Sequence, residues 1–202
     1  MTPATSHRTI SGEARLAAVL EQCDDDRIAP LATALADGHR CVLEHGAAVA
    51  ALTLAMAARA DVHAERIPLL ARAALLHDIG KRYIPGAVLD KPGALVPHER
   101  QVVEAHPTVG AAMLLEAGLV EEAAIVRHHH ERWDGAGYPD RLYGTAIPWE
   151  SRLIFVADVY DAMTSDRPYR LALSHDVALA EVAAEAGRQL DPAPAWLLPE
   201  VV

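Results

Sequence analysis

Apolar residues recur at spacings of three, four and seven through most of the chain, the pattern that lines one face of an α-helix. The first stripe, Leu16, Val19 and Leu20, predicts a helix over residues 12–22. Ser11 serves as its N-cap, and the run Asp24, Asp25 and Asp26 ends it as a solvated turn. A second pattern starts near Ile28, pauses at Asp37 and Gly38, and resumes from about His39 to Ala60 with Val42, Val49, Leu52 and Met56 on one face. Further helices are predicted over 64–76 with Gly80 as a stop signal, from Pro97, and from His106, whose stripe is Val109, Met113 and Leu114. The remaining ones run from about Val120 through the histidines at 128–130, over 148–164, over 174–188 from a Ser174 cap, and briefly after Pro192. Residues 83–97 and 134–147 carry the glycines and prolines of loops, and 165–170 form a basic turn. No internal repeat and no clear strand appears, so the expected fold class is all-α.

Composition narrows this picture. With 202 residues and 51% hydrophobic content, the chain fits one well-buried domain, read here as residues 28–202 after an N-terminal extension, 1–27, that is disordered over 1–11 and then helical. The 4% aromatic content beside abundant alanine favours close-packed helices over sheets. The longest unbroken apolar stretch, residues 47–58, is too short to span a bilayer, so no membrane association and a cytosolic location are expected. A net charge of −10 argues against a nucleic-acid polymer as partner, so any phosphate ligand must be held locally. Cys23 and Cys41 lack CxxC spacing, which excludes a disulfide framework and a zinc ribbon.

Eleven histidines, concentrated mid-chain, bring in chemistry. On a helix, neighbouring residues point roughly 100° apart, so adjacent His129 and His130 suggest two adjacent ions more readily than one shared ion. Alone, His45 on or near a buried stripe reads more readily as a satisfied core histidine than as a ligand. Collected together, His45, His77, Asp78, His106, His129, His130 and Asp158 fall on separate predicted elements. Imidazole nitrogens mixed with carboxylate oxygens suit two divalent ions, iron or manganese, better than a structural zinc. Asp78 can bridge the ions, with His45, His77 and Asp158 completing one and His106, His129 and His130 the other. Two ions about 3.5–4 Å apart activate a hydroxide and neutralise a phosphoryl transition state, so phosphoester hydrolysis is the natural chemistry.

These blocks resemble the HD-GYP branch of the HD-domain phosphohydrolases over roughly residues 28–192. The resemblance runs through LLHDIGK at 75–81, KPGAL at 91–95, the HP of 106–107, HHERWDGAGYP at 129–139 and VADVYDAMTSDRPYR at 156–170. It implies a metal-dependent phosphodiesterase that hydrolyses cyclic di-GMP to pGpG and, in some members, onward to GMP. It places the metal ligands on the seven residues just named and a phosphate-facing catalytic lysine on Lys81, a residue that otherwise reads as a helix C-cap. Tyr138, Arg167 and Arg170 match positions that grip guanine and phosphates, and guanidinium forks and a tyrosine ring suit that task. The arginines also fit an ordered turn paired with Asp161 and Asp166. Gly135 and Gly137 are expected to supply positive-φ loop conformations, Gly137 within the substrate-binding loop.

Some similar proteins hold a third ion through a glutamate four residues before the first histidine. Cys41 stands at that position here and Glu44 lies about 100° away, so a two-metal centre is expected, with Cys41 a small buried hydrophobe. The rival readings are a module that binds a cyclic dinucleotide or a partner without turnover, and an HD hydrolase of another nucleotide such as cyclic GMP-AMP. The amphipathic helix at 12–22 suits self-pairing in a homodimer, and a signalling protein is the other expected partner.

Overall fold

The structure, a computed structural model, describes residues 11–166 and 171–202. Expectations for residues 1–10 and for Arg167 and Arg170 lie outside the described residues. Ten α-helices joined by short 3-10 turns build the described part: α1 (Gly12–Cys23), α2 (Ile28–Arg59), α3 (Ile67–Leu75), α4 (Gly86–Leu89), α5 (Pro97–Glu104), α6 (His106–Glu116), α7 (Val120–Arg127), α8 (Trp149–Thr164), α9 (His175–Glu185) and α10 (Pro192–Leu197). The described residues contain no strand beyond an isolated bridge between Ala186 and Leu190, and the all-α expectation stands.

The caps explain the boundaries. The Ser11 hydroxyl accepts a hydrogen bond from the Ala14 amide, and Asp24 closes α1 with a left-handed φ of 48°. Ser174 and Asp191 cap α9 and α10 in the same way. The pause at Asp37 and Gly38 becomes a kink rather than a break, with His39 at φ −150°, ψ 74° inside the continuous α2. Helix α9 stops at Glu185, short of the expected Arg188, where the chain turns through Gly187 at φ 85°.

Helix α2 is the hub, with α1, α3 and α8 packed on it. Val42, Val49 and Met56 of its stripe are buried, and Leu52 is partly so. The segment His39–Arg59, 21 residues with hydropathy 1.6, is long and apolar enough by composition to cross a membrane, which corrects the expectation that no stretch is. Half of its most apolar window is buried inside the fold. Val19 and Cys23 of α1 are buried in the same core, and Leu16 and Leu20 pack against it. The stripe that suggested self-pairing is thus occupied by the chain's own helices.

On α6 Leu114 of the expected stripe is buried and Val109 and Met113 are half-buried, while His106, Pro107, Gly110 and Ala111 are buried as well. Small residues face inward because the segment after α3 approaches closely: a Cβ on Gly80 would lie 2.0 Å from the His106 carbonyl oxygen. Gly80 therefore marks a close backbone approach rather than a helix stop, α3 having already ended at Leu75. Gly46 does the same beside His45, where a Cβ would meet the Leu75 carbonyl oxygen at 2.4 Å. Both glycines let the backbones that carry His45, Asp78 and His106 converge.

Candidate metal centre

Five parts of the chain deliver the site. His45 comes from the middle of α2, His77 and Asp78 from the turn after α3, and His106 from the first residue of α6. His129 and His130 come from the turn after α7, and Asp158 from α8. Two donor groups form, each with ligand atoms within 4.8 Å of one another: His45, His77 and Asp78, and then Asp78, His106, His129 and His130. Asp78 belongs to both, the arrangement expected of a bridging carboxylate. Asp158 lies at the edge of the set, its Oδ1 3.0 Å from His45 Nε2.

The premise that His129 and His130 lie on a helix is corrected. Helix α7 ends at Arg127, and in the turn beyond it the two rings lie 4.1 Å apart and serve the same donor group. His128 stays out of the cluster, as expected. Its Nδ1 bonds the Ala124 carbonyl, and its Nε2 lies 2.9 Å from Asp140 Oδ2.

Three ligand histidines are oriented in one way. Each Nδ1–H donates to the carbonyl three residues earlier: His77 to Ala74 at 2.8 Å, His106 to Val103 at 2.6 Å and His129 to Val126 at 2.6 Å. Those carbonyls lie in the last turns of α3, α5 and α7, where the regular helical ladder runs out of donors. With Nδ1 protonated, a neutral imidazole turns its Nε2 lone pair toward the centre.

The interior then lacks positive charge. His106 Nε2 and His129 Nε2 face each other at 3.2 Å, and the Asp78 Oδ1 lies 3.1 Å from the former. His77 Nε2 and Asp78 Oδ1 are buried without a hydrogen-bond partner. Such orphans cost about 1–3 kcal/mol each, which a cation in their midst would offset. Burial, with neighbouring His130, His77 and His106, pushes the His129 pKa far down. Burial and His106 bring His130 to about 3. Both rings are therefore uncharged lone-pair donors near neutral pH. Burial works to raise the Asp78 pKa, but the Lys81 ammonium beside it holds it well below the usual carboxylate range. These donors fit divalent cations.

His45 differs. Its Nε2 faces Asp158, and its Nδ1 lies 2.7 Å from Asp161 Oδ2. Burial works against its charge, yet the two carboxylates lift its pKa to about 10. Asp161 was read from the sequence only as a partner for the arginines. The available signal was its position three residues after Asp158, on the same face of α8.

At the site's edge, Lys81 Nζ lies 2.5 Å from Asp78 Oδ2, so its side chain turns to the acid rather than to a helix end. The Tyr138 ring lies 5.0 Å from His130. The loop carrying it is tied down by Glu131, buried at 1% exposure, whose two oxygens accept the Asp140 amide at 2.7 Å and the Leu142 amide at 3.1 Å. Sequence reading assigned no role to Glu131. Gly135 has the expected positive φ of 76°, but Gly137 does not. A Cβ on Gly137 would lie 2.3 Å from the Arg132 amide nitrogen, so glycine is needed there because the loop folds back onto its own backbone. Cys41 is exposed, which corrects the expectation of a buried hydrophobe.

The HD domain family profile matches residues 30–193. The chain is 39% identical over 194 residues to the cyclic di-GMP phosphodiesterase response regulator RpfG of Xanthomonas campestris, an alignment covering 92% of this chain and 50% of that protein. It is 41% identical over 124 residues to 3'3'-cGAMP-specific phosphodiesterase 3 of Vibrio cholerae, covering 61% of this chain and 27% of the relative. The chain thus spans half or less of the length of either relative. Among solved structures, Bd1817, an HDG"Y"P protein from Bdellovibrio bacteriovorus, superposes with a TM-score of 0.67 at 19% identity, over 95% of this chain and 57% of that one. The matched span takes in every donor of the site together with the GYP loop, and the chain belongs to the HD domain family.

Proposed function

We propose that this chain is a metal-dependent phosphodiesterase that hydrolyses cyclic di-GMP to pGpG. The observation that carries the reading is the pair of donor groups sharing Asp78, with Lys81 resting on the same carboxylate. His45, His77, Asp78 and Asp158 would hold one ion and Asp78, His106, His129 and His130 the other, with iron or manganese suiting the mixed donors. When bound, the ions supply Lewis-acid charge at the phosphoryl group.

Hydrolysis adds water across the P–O3′ bond, leaving a 5′-phosphate on one nucleotide and a protonated 3′-oxygen on the other. Lys81 supplies a cationic donor for phosphate charge or for the departing oxygen. Beside His130, Tyr138 offers a ring face for a base. Burial, then the negative charges of Asp78 and Glu104, push its pKa up, so its hydroxyl stays a hydrogen-bond donor. Gly137 lets the loop fold tightly enough to hold that ring near the site. Arg167 and Arg170 would grip phosphates or the guanine edge, giving an acidic protein a local basic lip. This reading places the chain in the cytoplasm, with a cyclic dinucleotide as its ligand.

A second substrate, 3'3'-cGAMP, is favoured by the 41% identity to a relative specific for it. The complete donor set argues against a module that binds without turnover. Protein reconstituted anaerobically with Fe(II) or Mn(II), incubated with cyclic di-GMP, 3'3'-cGAMP and cyclic di-AMP, and analysed by chromatography, separates these readings. Chelator-sensitive appearance of pGpG is the expected result. Protein with two ions per chain and no product from any of the three would overturn the hydrolase reading in favour of binding alone.

A further inference from the structure

Resting on the two-ion reading above, we propose that Asp161 is a positioning residue that makes the two ion sites unequal, so that the ion held by His45 and His77 binds first and leaves last. The argument starts from where each histidine finds a partner for its Nδ1–H. His77, His106 and His129 use backbone carbonyls in the last turns of helices. His45 has no such carbonyl within reach, because it stands mid-helix in α2, where backbone acceptors are engaged in the helix itself. Its partner must come from another element, and α8 supplies it: Asp161 Oδ2 lies 2.7 Å from His45 Nδ1.

One turn earlier on the same face, Asp158 Oδ1 reaches the other ring nitrogen at 3.0 Å. Helix α8 thus grips the imidazole at both ends. An ion arriving at Nε2 displaces the proton that this nitrogen shares with Asp158 and releases it to solvent, and Asp158 can become a ligand itself. The Nδ1 contact survives, because Asp161 sits on the ring nitrogen that the ion does not take.

A carboxylate is a charged acceptor, stronger than a backbone carbonyl, and it raises the basicity of the imidazole that donates to it. It also fixes the ring's orientation. The group containing His45 therefore has one donor strengthened by charge, whereas His106 and His129 in the other group have only neutral carbonyl partners.

Loss of such an outer partner lowers metal affinity by about 10–100-fold. Asp161→Asn keeps an acceptor oxygen without the charge and should weaken one ion about 10-fold, and Asp161→Ala about 100-fold. The second ion should keep its wild-type affinity. Chelator-competition titrations with Mn(II), read by metal per chain and by electron paramagnetic resonance of the bound ion, measure both constants without using activity. Circular dichroism melting of the metal-free variants controls for folding.

Wild type with two distinguishable constants, of which only the tighter falls in both variants, is the expected outcome. Equal weakening of both ions, or no change in either variant, would overturn the proposal while leaving the two-ion site intact. Wild type that binds no divalent ion would sink the two-ion reading, and this inference with it.

Discussion

Asp78 meets more constraints than any other side chain in the site. It belongs to both donor groups, holds Lys81, and leaves one oxygen buried and unpaired. Asp78→Ala should therefore remove both ions at once rather than one, and lower activity at least about 100-fold, the cost of losing even one transition-state stabiliser. Metal per chain measured beside phosphodiesterase rate checks this, and full activity in a metal-depleted variant would end the metallohydrolase reading. The cysteines allow a second test at this scale. Burial pushes the Cys23 pKa up to about 11, whereas Cys41 is exposed. Since the thiolate is the reactive form, native protein at pH 8 should take up one equivalent of an alkylating reagent, at Cys41, and two after denaturation. Peptide mass mapping that finds Cys23 labelled in native protein would contradict this burial. The histidine and aspartate cluster was legible in the sequence because these residues announce their chemistry. Asp161, Glu131 and Gly137 were not, because an outer hydrogen bond, a loop anchor and a close backbone approach depend on what the fold brings opposite them.

Helix ends, more than helix bodies, make this centre. Apolar periodicity located the helices, but it continues past the last hydrogen-bonded turn and so could not show that α3 stops at Leu75 or α7 at Arg127. Those two stops free the carbonyls that orient His77 and His129, and the second also brings His129 and His130 ring to ring. The GYP loop that follows has its own anchor. Glu131 accepts two loop amides from inside the fold, and Asp140 is held from outside by Arg127 at 2.7 Å and by His128. Glu131→Ala removes both inner acceptors, and a buried amide left unpaired costs about 1–3 kcal/mol. The expected result is faster hydrogen exchange at Asp140 and Leu142 and a raised KM, with metal content unchanged because no donor is touched. Wild-type exchange rates at those two amides would show that the outer contacts alone hold the loop.

Across the whole molecule, the two donor groups span residues 45 to 130 and join α2, the turns after α3 and α7, and α6, with Asp158 of α8 meeting His45 at their edge. The same hub helix that reads as a bilayer span by composition is the one from which His45 reaches the others, which is why its apolar surface is shared between core and site. The single-core, all-α architecture was legible because alanine-rich helical stripes leave few alternatives. The convergence of five segments on one point was not, since no local pattern encodes a tertiary crossing. Convergence has an energetic consequence. An ion that binds the folded chain and not the unfolded one adds about 2.7 kcal/mol at a hundredfold excess over its Kd. Two such ions add about 5 kcal/mol, and a chain of this size gains about 2–4 °C in Tm per kcal/mol. Scanning calorimetry should therefore show the metal-loaded protein melting about 10–20 °C above the chelated one. The gap should close in Asp78→Ala, which loses the one carboxylate common to both groups. Identical Tm values in chelator and in saturating Mn(II) would mean that these segments converge without an ion to hold them, and the phosphodiesterase reading would lose its physical basis.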